Sequence, residues 1–447
     1  MSAVPCGWNA ARLGDVCDIV SGGTPKTSES HYWGDAVAWI TPADLSRDRS
    51  QTVFAGARGL STAGYRACSA RIIPRGSVIV SSRAPIGYVA IAGTDVATNQ
   101  GCKSAVPPDF IDSRYLYWYL LNAKSDLEDR ASGTTFKEIS GREFANTVLK
   151  WPGLDEQRRI VDILEDHLSR LEFGVVELGR SSAHLELYTR RRRLALVLGS
   201  SAGSLNSIDP SALGGGSAPT LPLPPGWAWK QWRGIGRSQN GSAFPSRDYT
   251  DDGVRLLRPG NLGRHGRLRW DDKSTRWLPL TYEASHAGLV LRPGDIVMNL
   301  TAQSLKDDFL GRACLVRDHD HALLNQRLAR LRSTELLSEY ALLVFQSPLF
   351  RRFVRSLNTG SLIQHMFTTQ VDRFWMPVPP PETQAAIVRL EAAQREAEAA
   401  LVEQLYAART RSTALRRALL AAAFSGRLTG RTSDLDVAEQ LVAQEAR

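Results

Sequence analysis

The chain repeats itself once, over half its length. Gly7-Trp8 returns as Gly226-Trp227, and Trp39-Ile40-Thr41-Pro42-Ala43-Asp44-Leu45 as Leu256-Leu257-Arg258-Pro259-Gly260-Asn261-Leu262. Arg75-Gly76-Ser77-Val78-Ile79-Val80 returns as Pro293-Gly294-Asp295-Ile296-Val297-Met298, Asn99-Gln100 as Asn325-Gln326, and Ser132-Gly133-Thr134 as Thr359-Gly360-Ser361. The order is kept and the offset barely drifts. Solenoid repeats run roughly 20–50 residues, so this far longer period means two copies of one domain-sized unit.

Each copy has two parts. The first is a stretch of short apolar runs punctuated by Gly and Pro, such as Ser77-Val78-Ile79-Val80-Ser81 and Gly87-Tyr88-Val89-Ala90-Ile91. These read as strands of a mostly β unit with a few helices, one of them around Ser113 to Asn122. The second part is a long run without helix breakers. It follows Pro152-Gly153 in the first copy and Pro379-Pro380-Pro381 in the second, with Asp155 and Glu382 in the first turns. Val161, Leu164, Leu168, Leu171, Val175 and Leu178 alternate at spacings of three and four, and Ile387, Leu390, Gln394, Ala397, Leu401 and Gln404 stand at the equivalent places. A 3.5-residue apolar period means helix packed on helix. The second seam is the poorer one, which suits pairing with the first rather than with itself. Gly174 and Gly179 weaken the first helix. A Gly/Ser/Pro-rich stretch between the copies reads as a flexible linker.

The expected fold class is therefore α+β: two mostly β domains separated by two long helices packed as an antiparallel coiled coil, with a pseudo-twofold internal repeat. The expected boundaries are 1–153 and 226–380 for the β-rich domains, 154–198 and 381–428 for the helices, 199–225 for the linker and 429–447 for a C-terminal tail.

Catalytic patterns are thin. Gly101-Cys102-Lys103-Ser104 has the wrong order for a phosphate-binding loop, and no glycine fingerprint links a strand to a helix. Five cysteines without a C-x-x-C pair argue against a disulfide frame and a structural zinc site. His319-Asp320-His321 near Cys314 reads as a solvated turn rather than a metal site. No apolar stretch is long enough for a membrane span, and the amino terminus lacks the features of a secretion signal, so a cytoplasmic chain that binds no cofactor of its own is expected.

Binding signals are stronger. The net charge is +9 and the pI about 9.5, pointing to a polyanion. Residues 226–380 hold 22 basic and 14 acidic side chains against 16 and 14 in residues 1–153, so the excess sits in the second unit. The candidate contacts in the first unit are Thr24, Lys26, Ser82, Arg83, Asn99, Gln100 and Lys103. In the second they are Arg258, Arg264, Arg267, Arg269, Asn299, Thr301, Gln303, Asn325, Gln326 and Arg327. Asn and Gln match adenine and Arg matches guanine, while the same polar residues are also ordinary turn formers.

Together these segments resemble the specificity subunit of type I restriction-modification enzymes. The resemblance is carried by Leu13-Gly14-Asp15-Val16 leading to Ser21-Gly22-Gly23-Thr24-Pro25, and by Trp39 to Leu45, Ala97-Thr98-Asn99-Gln100-Gly101 and Pro152-Gly153-Leu154-Asp155-Glu156-Gln157-Arg158. In the second half it is carried by Leu324-Asn325-Gln326-Arg327-Leu328, Pro380-Pro381-Glu382-Thr383-Gln384-Ala385 and the segment from Leu415 to Leu428. Glu156-Gln157-Arg158 becomes Thr383-Gln384-Ala385, and the Gly-Thr-Pro turn becomes Gly241-Ser242-Ala243-Phe244-Pro245, so the second half departs most from the pattern.

The resemblance implies a non-catalytic reader of double-stranded DNA, one target-recognition domain per half of a bipartite asymmetric sequence, with the helices as spacer. It implies two copies of a modification (methyltransferase) subunit using S-adenosylmethionine, and a restriction (translocase and nuclease) subunit using ATP and Mg. The alternatives are a duplicated coiled-coil scaffold that binds protein partners without reading DNA, and an enzyme acting alone.

Overall fold

The computed structural model describes residues 4–83, 85–133, 137–199, 209–272, 274–303, 308–357, 364–428 and 433–445. Thr134 and Thr359–Ser361 of the repeat lie outside them. The chain folds into two compact units, Met1–Gly179 with Leu405–Arg447, and Arg180–Gln404. Each unit takes one β-rich domain and part of each long helix.

The first unit is built on a five-stranded sheet in the order Asp18–Ser21, Cys102–Val106, Val78–Ser81, Val89–Ala92, Thr52–Val53. All contacts are antiparallel except the last. Val78–Ser81 is buried on both faces, as a continuous apolar run demands. A smaller sheet sets Trp33–Ile40 between Arg58–Leu60 and Ala97–Thr98, the latter parallel with Ile40 opposite Thr98. An antiparallel ribbon of Asn9–Arg12 with Val148–Trp151 brings the two ends of the domain together.

The second unit repeats this topology. Gly236–Asn240, Leu328–Ser333, Ile296–Asn299 and Ala313–Leu315 form the main sheet, and Trp277–Leu278, Val254–Leu257 and Ala322–Leu324 the smaller one. Ala228–Gln231 pairs with Trp375–Val378 as the closing ribbon.

Tertiary hydrogen bonds repeat as well. The turns before Val78 and Ile296 need glycine, with φ +88° at Gly76 and +89° at Gly294. Their carbonyls accept from Ser113 Oγ and Ser338 Oγ at 2.7 Å each. Tyr115 and Tyr340, both fully buried, donate to the Lys150 and Pro377 carbonyls of the closing ribbons.

The long helices are Leu154–Leu198 and Pro381–Phe424. A buried glutamine pins each to its own domain. Gln157 Nε2 donates to the Phe110 and Pro152 carbonyls, and its Oε1 accepts from the Asp112 amide, all at 2.9 Å. Gln384 Nε2 donates to the Glu335 and Pro379 carbonyls at 3.5 and 3.0 Å, and its Oε1 accepts from the Leu337 amide at 2.8 Å. The flanking residues differ between the copies, but the glutamine does not.

In the first unit, the opening turns of the first helix (Ile160, Val161, Leu164, Leu168) share one core with the closing turns of the second (Ala418, Leu419, Leu420, Ala423, Phe424). In the second unit, Leu194, Val197 and Leu198 share the core with Ile387, and Val388 packs against it. Start meets end in both, so the helices run antiparallel.

The expected apolar seam needs correcting on the second helix. Ile387 is buried, but Leu390, Ala397 and Leu401 are exposed, and on the first helix Leu171, Val175 and Leu178 are half-buried. The contact in the second unit is instead polar. Arg192 lies 2.6 Å from Glu391 and 2.8 Å from Glu398 and also bonds Gln394, while Arg193 and Arg395 each lie 3.2 Å from Glu391. Glu391, Gln394 and Glu398 form the inward stripe at spacings of three and four; Leu390 and Ala397 stand one position round from it.

Two further expectations change. Residues 209–225, read as flexible linker, are packed down. Pro210–Gly214 forms a 3-10 turn, Leu213 and Leu221 enter the second core, and the Gly215 carbonyl accepts from Gln231 Nε2 and Trp375 Nε1. The C-terminal tail carries a helix, Ser433–Glu445, with Ala438 buried in the first core. Among the described residues, no helix is long and apolar enough to cross a membrane.

The glutamine junction predicts its own test. Gln157→Leu or Gln384→Leu leaves two carbonyls and one amide without their partner, at about 1–3 kcal/mol per buried group left unsatisfied. Urea unfolding should show a lowered midpoint for either variant, with a loss of about 3 kcal/mol or more. A change within about 0.5 kcal/mol would mean that solvent takes over these bonds.

Candidate nucleic-acid interface

Each β-rich domain gathers three segments at one place, and backbone register dictates which. In the first unit, Trp33–Ile40 runs parallel to Ala97–Thr98, so the residues that follow, Thr41-Pro42 and Asn99-Gln100, emerge side by side. The Asn99 amide donates to the Ile40 carbonyl at 2.9 Å. The loop after Asp18–Ser21 closes over this turn. A Cβ on Gly22 would fall 2.0 Å from the Asn99 carbonyl oxygen, so only glycine fits. The second unit has the same construction, with Leu257 opposite Leu324 and a Gly241 Cβ 2.2 Å from the Asn325 carbonyl oxygen.

Thr41, Pro42, Ala43, Ser46, Arg47 and Asn99 line an open groove in the first unit. The short helix Pro42–Arg47 is capped by Thr41, whose Oγ accepts from the Asp44 amide, while Asp44 Oδ2 accepts from the Thr41 amide at 3.0 Å. Asn261 braces the equivalent turn by accepting from the Arg258 amide at 2.9 Å.

The expected contact residues divide in the structure. Thr24 donates to Gln100 Oε1, tying the first loop to the turn. Gln100 and Lys26 are exposed, and Asn99 is half-exposed with its Oδ1 accepting from the Gly101 amide at 2.8 Å. Arg83, beside them, lies 3.6 Å from Glu138. Ser82 and Lys103 do not fit the expectation. Ser82 is fully buried and its hydroxyl has no hydrogen-bond partner. Lys103 is 7% exposed and donates to the Gln100 carbonyl at 3.1 Å, and burial holds its pKa below the usual lysine value. It is a strut beneath the turn.

In the second unit Asn325 Oδ1 accepts from the Arg327 amide at 3.3 Å, while Gln326, Arg327 and Gln303 are exposed and Arg258 and Thr301 half-exposed. Asn299 is the correction here. It is fully buried, and its Nδ2 donates to the Thr301 and Phe309 carbonyls at 2.7 and 3.0 Å, so it braces the loop from within.

Arg264, Arg267 and Arg269 are all exposed. His265, between the first two, offers its carbonyl to Arg395 of the long helix at 3.2 Å. Burial, then Arg193, Arg395, Arg264 and Arg267, push the His265 pKa down. Arg269 returns toward the Asn261 turn, its carbonyl accepting from Asn261 Nδ2 at 3.1 Å.

Among the described residues no three His, Cys, Asp or Glu side chains gather as a metal site. Asp320 is buried and accepts from Trp270 Nε1 at 2.7 Å, His321 bonds Glu283 at 3.0 Å, and the Cys314 thiol donates to the Gly263 and Arg267 carbonyls. Arg47 and Glu138 were missed in the sequence. Glu138 shares a place in the backbone pairing with His365 of the second copy, so the residue itself does not recur.

Known proteins resemble this chain along most of its length. Residues 5–174 match the family model for the type I restriction modification DNA specificity domain. The type I restriction enzyme MjaIX specificity subunit of Methanocaldococcus jannaschii is 37% identical over 164 residues. That alignment takes in 36% of this chain and only 38% of the relative's length. The MjaVIII specificity subunit of the same organism is 21% identical over 391 residues, 86% of this chain and 85% of that one. Among solved structures, a chain from work on complex assembly and conformational transition of the type I R-M system superposes with a TM-score of 0.73 at 20% identity, covering 96% of this chain and all of that one. It shares the architecture of two β-rich domains and two long packed helices. Residues 5–174 thus carry a type I restriction modification DNA specificity domain, and the chain as a whole is similar to type I restriction-modification specificity subunits.

Proposed function

We propose that this chain reads a bipartite, asymmetric sequence in double-stranded DNA, one half-site per β-rich domain, and directs adenine methylation and restriction by partner subunits. The observation that carries the reading is a scaffold duplicated in its internal hydrogen bonds and diverged around its recurring turns. Gln157 and Gln384, Tyr115 and Tyr340, and Asn99 and Asn325 make the same bonds. Thr41, Ala43 and Gly101 around the first turn are replaced by Arg258, Gly260 and Arg327 around the second. Two identical binding units would serve a palindrome; two diverged ones serve an asymmetric target.

The chain is the non-catalytic component. The reading places S-adenosylmethionine with two copies of a modification subunit, and ATP and Mg with a restriction subunit, in the cytoplasm. Exposed apolar side chains on the long helices, Phe173 and Tyr188 on the first and Val402 and Tyr406 on the second, support docking of protein partners there. Base contacts supply specificity, and phosphate contacts supply salt-dependent affinity.

Three outcomes test the proposal. Selection of bound duplexes from a randomised library, by the chain together with a modification subunit, should return two dissimilar half-sites at fixed spacing. A single motif or a palindrome would refute the reading. Replacing Arg264, Arg267 and Arg269 by Ala should weaken binding to all sequences alike and flatten the salt dependence by about one unit of slope for each phosphate contact removed. A changed sequence preference would instead make these arginines base readers. Finally, four helix-forming residues inserted into both long helices, after Gly179 and before Leu405, add about 6 Å of helix. The gap between half-sites should grow by one or two base pairs at about 3.4 Å each, with the half-sites unchanged. An unchanged gap in mapped methylation sites would show that the helices do not set it.

A further inference from the structure

Each β-rich domain brings one guanidinium to its recurring turn, but from different strand ends. In the first unit the Ser82 amide donates to the Gly101 carbonyl at 2.7 Å, which sets the next residue, Arg83, beside Gly101. In the second unit the Leu300 amide donates to the Arg327 carbonyl at 3.0 Å, which sets Thr301 beside Arg327. The backbone of Arg83 bridges Glu138, and that of Thr301 pairs with His365, so the two places correspond strand for strand. One copy therefore has Arg and Gly where the other has Thr and Arg.

The exchange is sterically coupled. A Cβ on Gly101 would fall 3.1 Å from Arg83 Nε, 3.0 Å from Pro42 Cγ and 3.2 Å from Asn99 Oδ1. The Arg83 guanidinium thus occupies the space from which the Arg327 side chain departs in the other copy. Glu138, 3.6 Å from Arg83 Nη1, orients it, and both side chains keep more than a third of their surface open, 38% for Arg83 and 40% for Glu138. Arg327 is exposed beside Asn325. A phosphate needs only charge, which any rim position offers. A planar guanidinium fork beside an asparagine amide matches the O6 and N7 acceptors of guanine.

We infer that Arg83 in the first unit and Arg327 in the second are specificity-determining residues, each reading a guanine in its own half-site. This rests on the DNA-reading proposal and goes beyond it by assigning one base and one side chain to each β-rich domain.

The test uses the full chain with its modification subunit and a duplex library with a fully randomised core. Arg83→Ala should lose roughly tenfold to a hundredfold of the preference for one G·C pair in one half-site, leaving the other half-site intact. Arg327→Ala should do the same in the opposite half-site. Arg83→Lys keeps the charge but not the fork, so it should retain affinity while losing discrimination at that same pair. Thermal melts of all three should stay close to the parent, since Arg327 is exposed and Arg83 half-exposed in a surface ion pair. Uniformly weaker binding with both motifs intact would make these arginines phosphate contacts and overturn the inference while leaving the DNA-reading proposal standing. Loss of preference in the same half-site for both variants would overturn it as well. If the parent chain itself selects no motif, the broader proposal falls, and this inference with it.

Discussion

A neutral amide buried at the start of each long helix holds the architecture together. A helix of 45 or 44 residues has no preferred direction relative to a β-rich domain unless something rigid fixes its first turn. Gln157 and Gln384 do so by joining the loop before the helix to the loop at the head of a domain helix. Glutamate cannot replace them, because two of the three bonds are donated by the side chain and an ionised carboxylate only accepts. Asparagine is one methylene short. Once the first turn is fixed, Ile160, Val161 and Leu164 must point into the domain core.

That constraint explains what was readable in the sequence. The repeat, the strands around Val78 and Val89, the helix over Ser113–Asn122 and the start of both long helices were legible because apolar period and Gly/Pro punctuation report them directly. The second helix was misread for a physical reason. Apolar periodicity pointed to Leu390, Ala397 and Leu401, whereas the inward face is Glu391, Gln394 and Glu398 paired with Arg192 and Arg193. A polar residue buried by ion pairing has the same letter as one in solvent, and only its partner on another segment tells them apart.

The candidate site suffers from the same ambiguity. Ser82, Lys103 and Asn299 read as strand-end polar residues, yet all three are buried, the last two as braces under a turn or loop. Asn99, Gln100, Asn325 and Gln326 were found because they recur at the turns. Arg83 and Arg327 do not recur at equivalent places, so residue-by-residue comparison of the copies cannot pair them. Their relation is visible only when backbone hydrogen bonds show which strand ends meet.

The two copies also differ in how charge joins domain to helix, and the pattern of divergence is itself informative. Glu165 and Glu391 occupy equivalent positions. Glu165 accepts from Gln51 and Trp118 at 2.9 Å and from Arg114, all on its own β-rich domain. Burial pushes its pKa up, yet these donors outweigh that and hold it below the usual carboxylate range. Glu391 takes its partners from the helices themselves, and the second domain is reached through Arg395 and the His265 carbonyl. Losing a neutral buried bond, as at Gln157 or Tyr115, strands a polar group at a cost of about 1–3 kcal/mol. Long charged side chains can be re-paired by substitutions on several neighbouring segments, because Coulomb attraction tolerates a range of geometries. A duplicated reader built this way keeps its frame in the neutral bonds and is free to change its charged ones. Arg83, paired with Glu138, belongs to the second kind.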